Sequence, residues 1–163
     1  MKLSIYSRAA AEKLIKDGFP ENTAVISFFD PPSKRSLNDY SPVDYKGQCK
    51  RLLAVGVNDI DIEILPDYGL TFETYLPEAN AIAEFILSAI DDGLDIICQC
   101  EYGQSRSAAC AAAIREYYNR SGIKIFADYR YYPNQLIFNK IYKALKENSK
   151  KRKEEKRDED HQA

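Results

Sequence analysis

The residues with the most chemical content are Cys100-Glu101-Tyr102-Gly103-Gln104-Ser105-Arg106-Ser107, a run that opens on a thiol and closes on a guanidinium and a hydroxyl. A short loop of this kind between a strand and a helix turns successive backbone N–H groups inward. The helix N-terminus adds partial positive charge, and together they form an anion cradle whose natural guest is phosphate. Residues Glu101, Tyr102, Gly103, Gln104, Ser105 and Arg106 would form the cradle, and the planar fork of Arg106 can grip two phosphoryl oxygens as a lysine cannot. Cys100 would sit beneath the anion, where the same amides favour a thiolate able to attack phosphorus. Gly103 lets the chain pass close to the ligand, and Ser107 can offer its hydroxyl to the sulfur when it later leaves. Singly, Cys100 reads as a small buried hydrophobe and Arg106 as a solvated charge. The spacing C-x-x-G-x-S-R-S, placed between strand and helix, is what favours phosphate.

The flanking elements put that loop where an open α/β sheet binds its ligands, beyond the carboxyl ends of the strands. Leu94-Asp95-Ile96-Ile97-Cys98 reads as a short strand before it, and Ser107 to Tyr118 as an Ala-rich helix after it, bounded by Gly122. Upstream, Leu3-Ser4-Ile5-Tyr6 reads as a strand, and Ser7 caps a helix through Ile15 that ends near Gly18. Thr23 to Phe29 reads as a buried strand stopped by Asp30-Pro31-Pro32. The stretch to Lys50 is rich in Ser, Pro, Asp and Tyr and reads as a loop; Leu52 to Val57 makes another strand, followed by a second loop. Pro77 suits the first turn of a helix whose Ile82, Phe85, Ile86, Ala89 and Ile90 share a face. Asn134 can cap a last helix with Leu136, Ile137, Ile141 and Leu145 on one side. Strands that alternate with helices predict a single α/β domain with a mostly parallel central sheet flanked by helices.

Length and composition agree with one domain, since 163 residues with 45% hydrophobic and 29% charged residues can build one core. Residues 1–145 are expected to form it. Residues 146–163 carry seven Lys/Arg and six Asp/Glu with nothing apolar larger than Ala163, so they read as a charged tail that continues the last helix or frays. The net charge of −2 offers no bulk positive field for nucleic acid. No apolar run is long enough to span a bilayer and no signal-peptide core follows Met1, so membrane partners are not expected and the cytoplasm is the expected location. The four cysteines, Cys49, Cys98, Cys100 and Cys110, then read as reduced. A metal site is not expected, because Cys98 and Cys100 are one residue apart and the single histidine, His161, lies in the tail. Oligomeric state has no signature here.

The Cys100–Ser107 run resembles the signature loop of the cysteine-based protein tyrosine phosphatases, C-x5-R in general, in the form found in the dual-specificity branch. Val57-Asn58-Asp59-Ile60-Asp61 after a strand and Tyr132-Pro133-Asn134 before the last helix extend the resemblance to small bacterial tyrosine-phosphatase-like proteins over most of residues 1–145. The resemblance implies a tyrosine-phosphatase-like fold and a cofactor-free phosphomonoester hydrolase acting on phosphorylated proteins or small phosphomonoesters. Cys100 would attack phosphorus, a phosphocysteine would form, and water would release phosphate. The family supplies the leaving group's proton from an Asp on the loop after the third strand, and Asp59, Asp61 and Asp67 are candidates. Asp67 lies 33 positions before Cys100, nearer the usual interval, but Asp59 directly follows the strand and takes first place. Two departures bear on activity. Gln99 stands where the family usually has His, and Glu101 puts a carboxylate in the cradle, which disfavours polyanionic lipid substrates unless it points outward. The alternative is therefore a phosphate-binding module with crippled chemistry.

Overall fold

The computed structural model describes residues 1–32 and 41–163. Four strands, β1 (Leu3–Tyr6), β2 (Thr23–Phe29), β3 (Arg51–Gly56) and β4 (Asp95–Gln99), form one sheet in the order β1-β4-β2-β3, with every pair parallel. The expected α/β architecture is borne out. Parallel strands buried on both faces need continuous apolar runs, and β2 meets that requirement with Thr23 through Phe28 all buried. Residues 33–40, part of the stretch read as a loop, lie outside the described residues.

Helices cover the two faces. α1 (Arg8–Asp17) is capped by Ser7, whose Oγ accepts from the Ala10 N–H, and packs Ala11 and Ile15 on one side with Val25, Tyr45 and Ile97. The other side holds α2 (Ala79–Asp91), α3 (Arg106–Asn119), the one-turn α4 (Ile123–Phe126) and α5 (Gln135–Gln162). Pro77 lies before the first turn of α2, with Glu78 as N-cap, and the fully buried face is Ile82, Ala83, Ile86 and Ala89; Phe85 and Ile90 are only partly covered. Every residue of α3 from Arg106 to Ile114 is buried, because α3 lies between the sheet and α5. Five alanines there keep the helix thin enough for both neighbours to approach.

Two short elements went unread in the sequence: α4 and a 3₁₀ helix at Ile62–Tyr68 within the second loop. Both are too short to show a period. Asn134 caps α5 as expected, its Oδ1 accepting from the Ile137 N–H at 2.9 Å, and Leu136, Ile137, Ile141 and Leu145 are buried. α5 continues through the charged stretch. Contact with α2 persists beyond residue 146, where Arg152 pairs with Glu84 and Asp91 at 2.7 and 2.9 Å and Asn148 reaches Asn80. No helix among the described residues is long and apolar enough to cross a membrane.

Candidate active site

β4 ends at Gln99 and α3 begins at Arg106, so the Cys100–Ser105 loop leaves the middle of the sheet at the carboxyl end of its strands. Cys100 is 3% exposed and its Sγ lies 3.1 Å from Ser107 Oγ on the first turn of α3. Among the described residues, no protein acceptor takes a backbone N–H of Glu101, Tyr102, Gly103, Gln104 or Ser105. Five donors in a tight loop at a helix N-terminus are suited to one compact anion.

Arg106 is buried and held from one side. Its Nη1 donates to Asp30 Oδ1 at 2.8 Å and to the Val57 carbonyl at 3.0 Å, while the buried Nε has no partner among the described residues. A guanidinium N–H buried without an acceptor costs a few kcal/mol unless a ligand takes it up. Asp30 was read in the sequence only as a strand stop. Its place, directly after β2 on the carboxyl edge, was the available signal.

The loop is shaped by the start of the chain. Cys100 N–H donates to the Tyr6 carbonyl at 3.2 Å, and Arg8 N–H donates to the Glu101 carbonyl at 3.0 Å. Gly103 has φ +67, and a Cβ on it would stand 2.6 Å from the Ser7 nitrogen and 2.9 Å from the Tyr6 carbonyl carbon. The glycine is therefore needed for the turn between β1 and α1 to fit against the loop, whereas the sequence reading had it making room for the ligand. The Glu101 carboxylate turns outward to Arg8, Oε2 to Nε at 2.7 Å, so its charge is compensated away from the cradle. Tyr102 is 79% exposed, and the Gln104 carbonyl accepts from the Tyr132 N–H.

The three candidate aspartates part company. Asp59 Oδ1 accepts from Ser105 Oγ at 2.8 Å and from Asn134 Nδ2 at 2.9 Å, which fixes the carboxylate beside the loop. Asp61 is the N-cap of the 3₁₀ helix and lines a groove next to the loop; Asp67, further along that helix, is exposed and does not line it. Tyr75 braces the segment, its OH donating to the Asn58 carbonyl at 2.6 Å; burial pushes this phenol well above its ordinary range, so it stays a donor. Asn134 escaped notice as a site residue because a helix cap already explains an Asn there.

No protein-family model matches the chain, and no curated protein matches its sequence. Its backbone is similar to several solved structures, three of which follow. PTPMT1 in complex with PI(5)P is 12% identical over 92% of this chain and 94% of that one, with a TM-score of 0.53. A variant of human DUSP28 is 19% identical over 91% and 92%, with a TM-score of 0.51. A human tyrosine phosphatase-like serine/threonine/tyrosine-interacting protein is 19% identical over 86% and 89%, with a TM-score of 0.50. The fold is that of the dual-specificity phosphatases.

Within this phosphatase fold Gln99 is buried at the end of β4, and its Oε1 accepts from both Ser27 Oγ and Tyr45 OH, the latter at 2.9 Å. Burial pushes the Tyr45 phenol well up, which keeps it protonated as a donor. Ser27 and Tyr45 also hydrogen-bond to each other, so removing the shared acceptor leaves one buried hydroxyl donor unsatisfied, at about 1–3 kcal/mol. Gln99→Ala is therefore expected to lower the unfolding free energy by about 1–3 kcal/mol in urea melts with an unchanged m-value; a loss below about 0.5 kcal/mol would show that the hydroxyls find other acceptors. Cys98 and Cys110 pack beside the loop, and all four cysteines are free. The hydrogen bond that the Cys98 thiol makes to Cys110, together with burial, pushes the Cys98 thiol well up, as befits a packing residue.

Proposed function

We propose that this protein is a phosphomonoester hydrolase that works through a phosphocysteine on Cys100, in a reducing compartment such as the cytoplasm, on phosphorylated proteins or small aryl phosphates. The observation that carries this reading is Arg106, buried and anchored through Nη1, with an unpartnered Nε beside a loop of unpaired N–H groups. Such an arrangement stabilises the three equatorial oxygens of a phosphoryl group in transit. Cys100 Sγ attacks phosphorus as the P–O bond to the leaving group breaks. Asp59, through the Oδ2 that Ser105 and Asn134 leave open, protonates the departing oxygen. In the second step water, giving its proton to Asp59, attacks phosphorus and expels the sulfur, and Ser107 Oγ donates to Sγ as negative charge returns to it. Arg106 and the loop amides neutralise the charge, so the chemistry as written calls on no metal.

A second reading, an oxyanion-binding module without turnover, draws on Gln99 at the position where the resemblance calls for His. Hydrolysis of p-nitrophenyl phosphate with and without chelator decides between the two. Turnover that survives chelation supports the hydrolase, whereas oxyanion binding without turnover supports the module. Arg106→Lys should lower kcat/KM by roughly 10²- to 10³-fold, because one ammonium cannot make the bidentate contact in the transition state. A loss under about fivefold would place the chemistry elsewhere.

A further inference from the structure

Beside the loop, on the side of Ser105, runs a groove of about 660 Å³ with two unlike walls. One is the start of the 3₁₀ helix, carrying Asp61 and Glu63; the other is aromatic, with Phe126, Tyr131 and Tyr132, and Phe72 also lines it. The groove is continuous with the site: Asp59 and Ser105 line it, and the Tyr132 N–H is bonded to the Gln104 carbonyl. Its charge is one-sided. Of its three carboxylates Asp59 is already engaged by Ser105 and Asn134, while Asp61 and Glu63 form no ion pair among the described residues, and no described Lys or Arg lines the groove. Tyr132 is 73% exposed at the rim, so its ring face is open to an incoming group.

We infer that this groove binds an arginine or lysine side chain of the substrate polypeptide, close in sequence to its phosphorylated residue. The inference rests on the hydrolase reading for the phosphate subsite and adds the substrate class. A long aliphatic stem suits the aromatic wall and a cationic head suits both the carboxylates and a ring face. The phosphate goes to the loop beside Arg106, and the cation goes to the acidic groove next to it. A substrate with several phosphates meets the opposite field, since a second phosphate in the groove would face Asp61 and Glu63.

The test compares phosphotyrosine peptides that differ only in two flanking residues on each side, all Arg, all Ala or all Glu. The wild-type kcat/KM is expected to be about tenfold higher for the Arg than for the Glu peptide, consistent with a few weak exposed ion pairs, and the ratio should shrink as salt is raised from 50 to 500 mM. Glu63→Lys should bring the ratio below about twofold, and Tyr132→Ala should lower kcat/KM for the Arg peptide by roughly threefold. A wild-type ratio near one, a ratio unmoved by Glu63→Lys, or faster hydrolysis of a phosphoinositide in mixed micelles than of the Arg peptide would each overturn the inference. If p-nitrophenyl phosphate is not hydrolysed at all, the hydrolase reading fails separately. The same peptides titrated calorimetrically into Cys100→Ser protein then read the groove, a tighter Arg peptide supporting it and equal affinities overturning it.

Discussion

Cys100→Ser protein is expected to lose hydrolysis of aryl phosphates by about 10⁴-fold or more while still binding tungstate or vanadate. The size of the loss follows from the role: without the thiolate there is no phosphocysteine, and a serine hydroxyl with no base beside it is a poor nucleophile at neutral pH. Binding survives because the grip on the anion comes from the loop N–H groups and from Arg106, whose anchors Asp30 and Val57 lie on other strands' ends and do not involve the sulfur. The measurement is single-turnover hydrolysis beside a calorimetric titration of the oxyanion. Hydrolysis within tenfold of the parent would remove Cys100 as nucleophile, and a parallel loss of binding would mean that the substitution had collapsed the loop.

Asp59→Asn is expected to slow hydrolysis of phosphotyrosine by roughly 10²- to 10⁴-fold, with a smaller loss on p-nitrophenyl phosphate. The difference between the substrates is the diagnostic part, since nitrophenolate leaves largely unaided and tyrosinate needs the proton. The same substitution at Asp61 or Asp67 should show no such leaving-group dependence, because only Asp59 is bonded to a loop residue. If Asp67→Asn shows the dependence and Asp59→Asn does not, the 3₁₀ helix must rearrange to bring Asp67 over the loop. If neither shows it, Asp61 or the substrate itself supplies the proton.

Much of the fold was legible because periodicity is local information. The four strands were visible as apolar runs, and α5 showed its buried face through Leu136, Ile137, Ile141 and Leu145. Strand order was not legible, since nothing in Leu3–Tyr6 says that it pairs with Asp95–Gln99 rather than with its neighbour in sequence, Thr23–Phe29. The loop between Cys100 and Arg106 could be recognised because spacing and residue type carry its chemistry together. Its supports could not. Asp30, Asn134, Arg8, and the Ser27 and Tyr45 that hold Gln99 reach the site from elements tens of residues away, and each has an ordinary local use that accounts for it: a stop, a cap, a surface charge, a strand polar group, a loop aromatic. Gly103 shows the same limit in miniature. A close approach at this glycine was legible from the loop, whereas the backbone it must clear belongs to residues 6 and 7.

That fit of the Tyr6–Ser7 turn against Gly103 has a bearing on the order in which the chain can become competent. The loop needs a mould made of residues 6–8 on one side and a brace at residues 132–134 on the other. Domains emerge from the ribosome amino end first, at about 5–20 residues per second. Residues 6–8 are therefore synthesised more than ninety residues before Cys100, and the Asn134 that steadies Asp59 comes later still. Pairings this distant in sequence also form late in folding, after the entropy of the intervening chain has been overcome. A chain that ends before residue 132 lacks one of the two sets of contacts that shape the loop around its thiol.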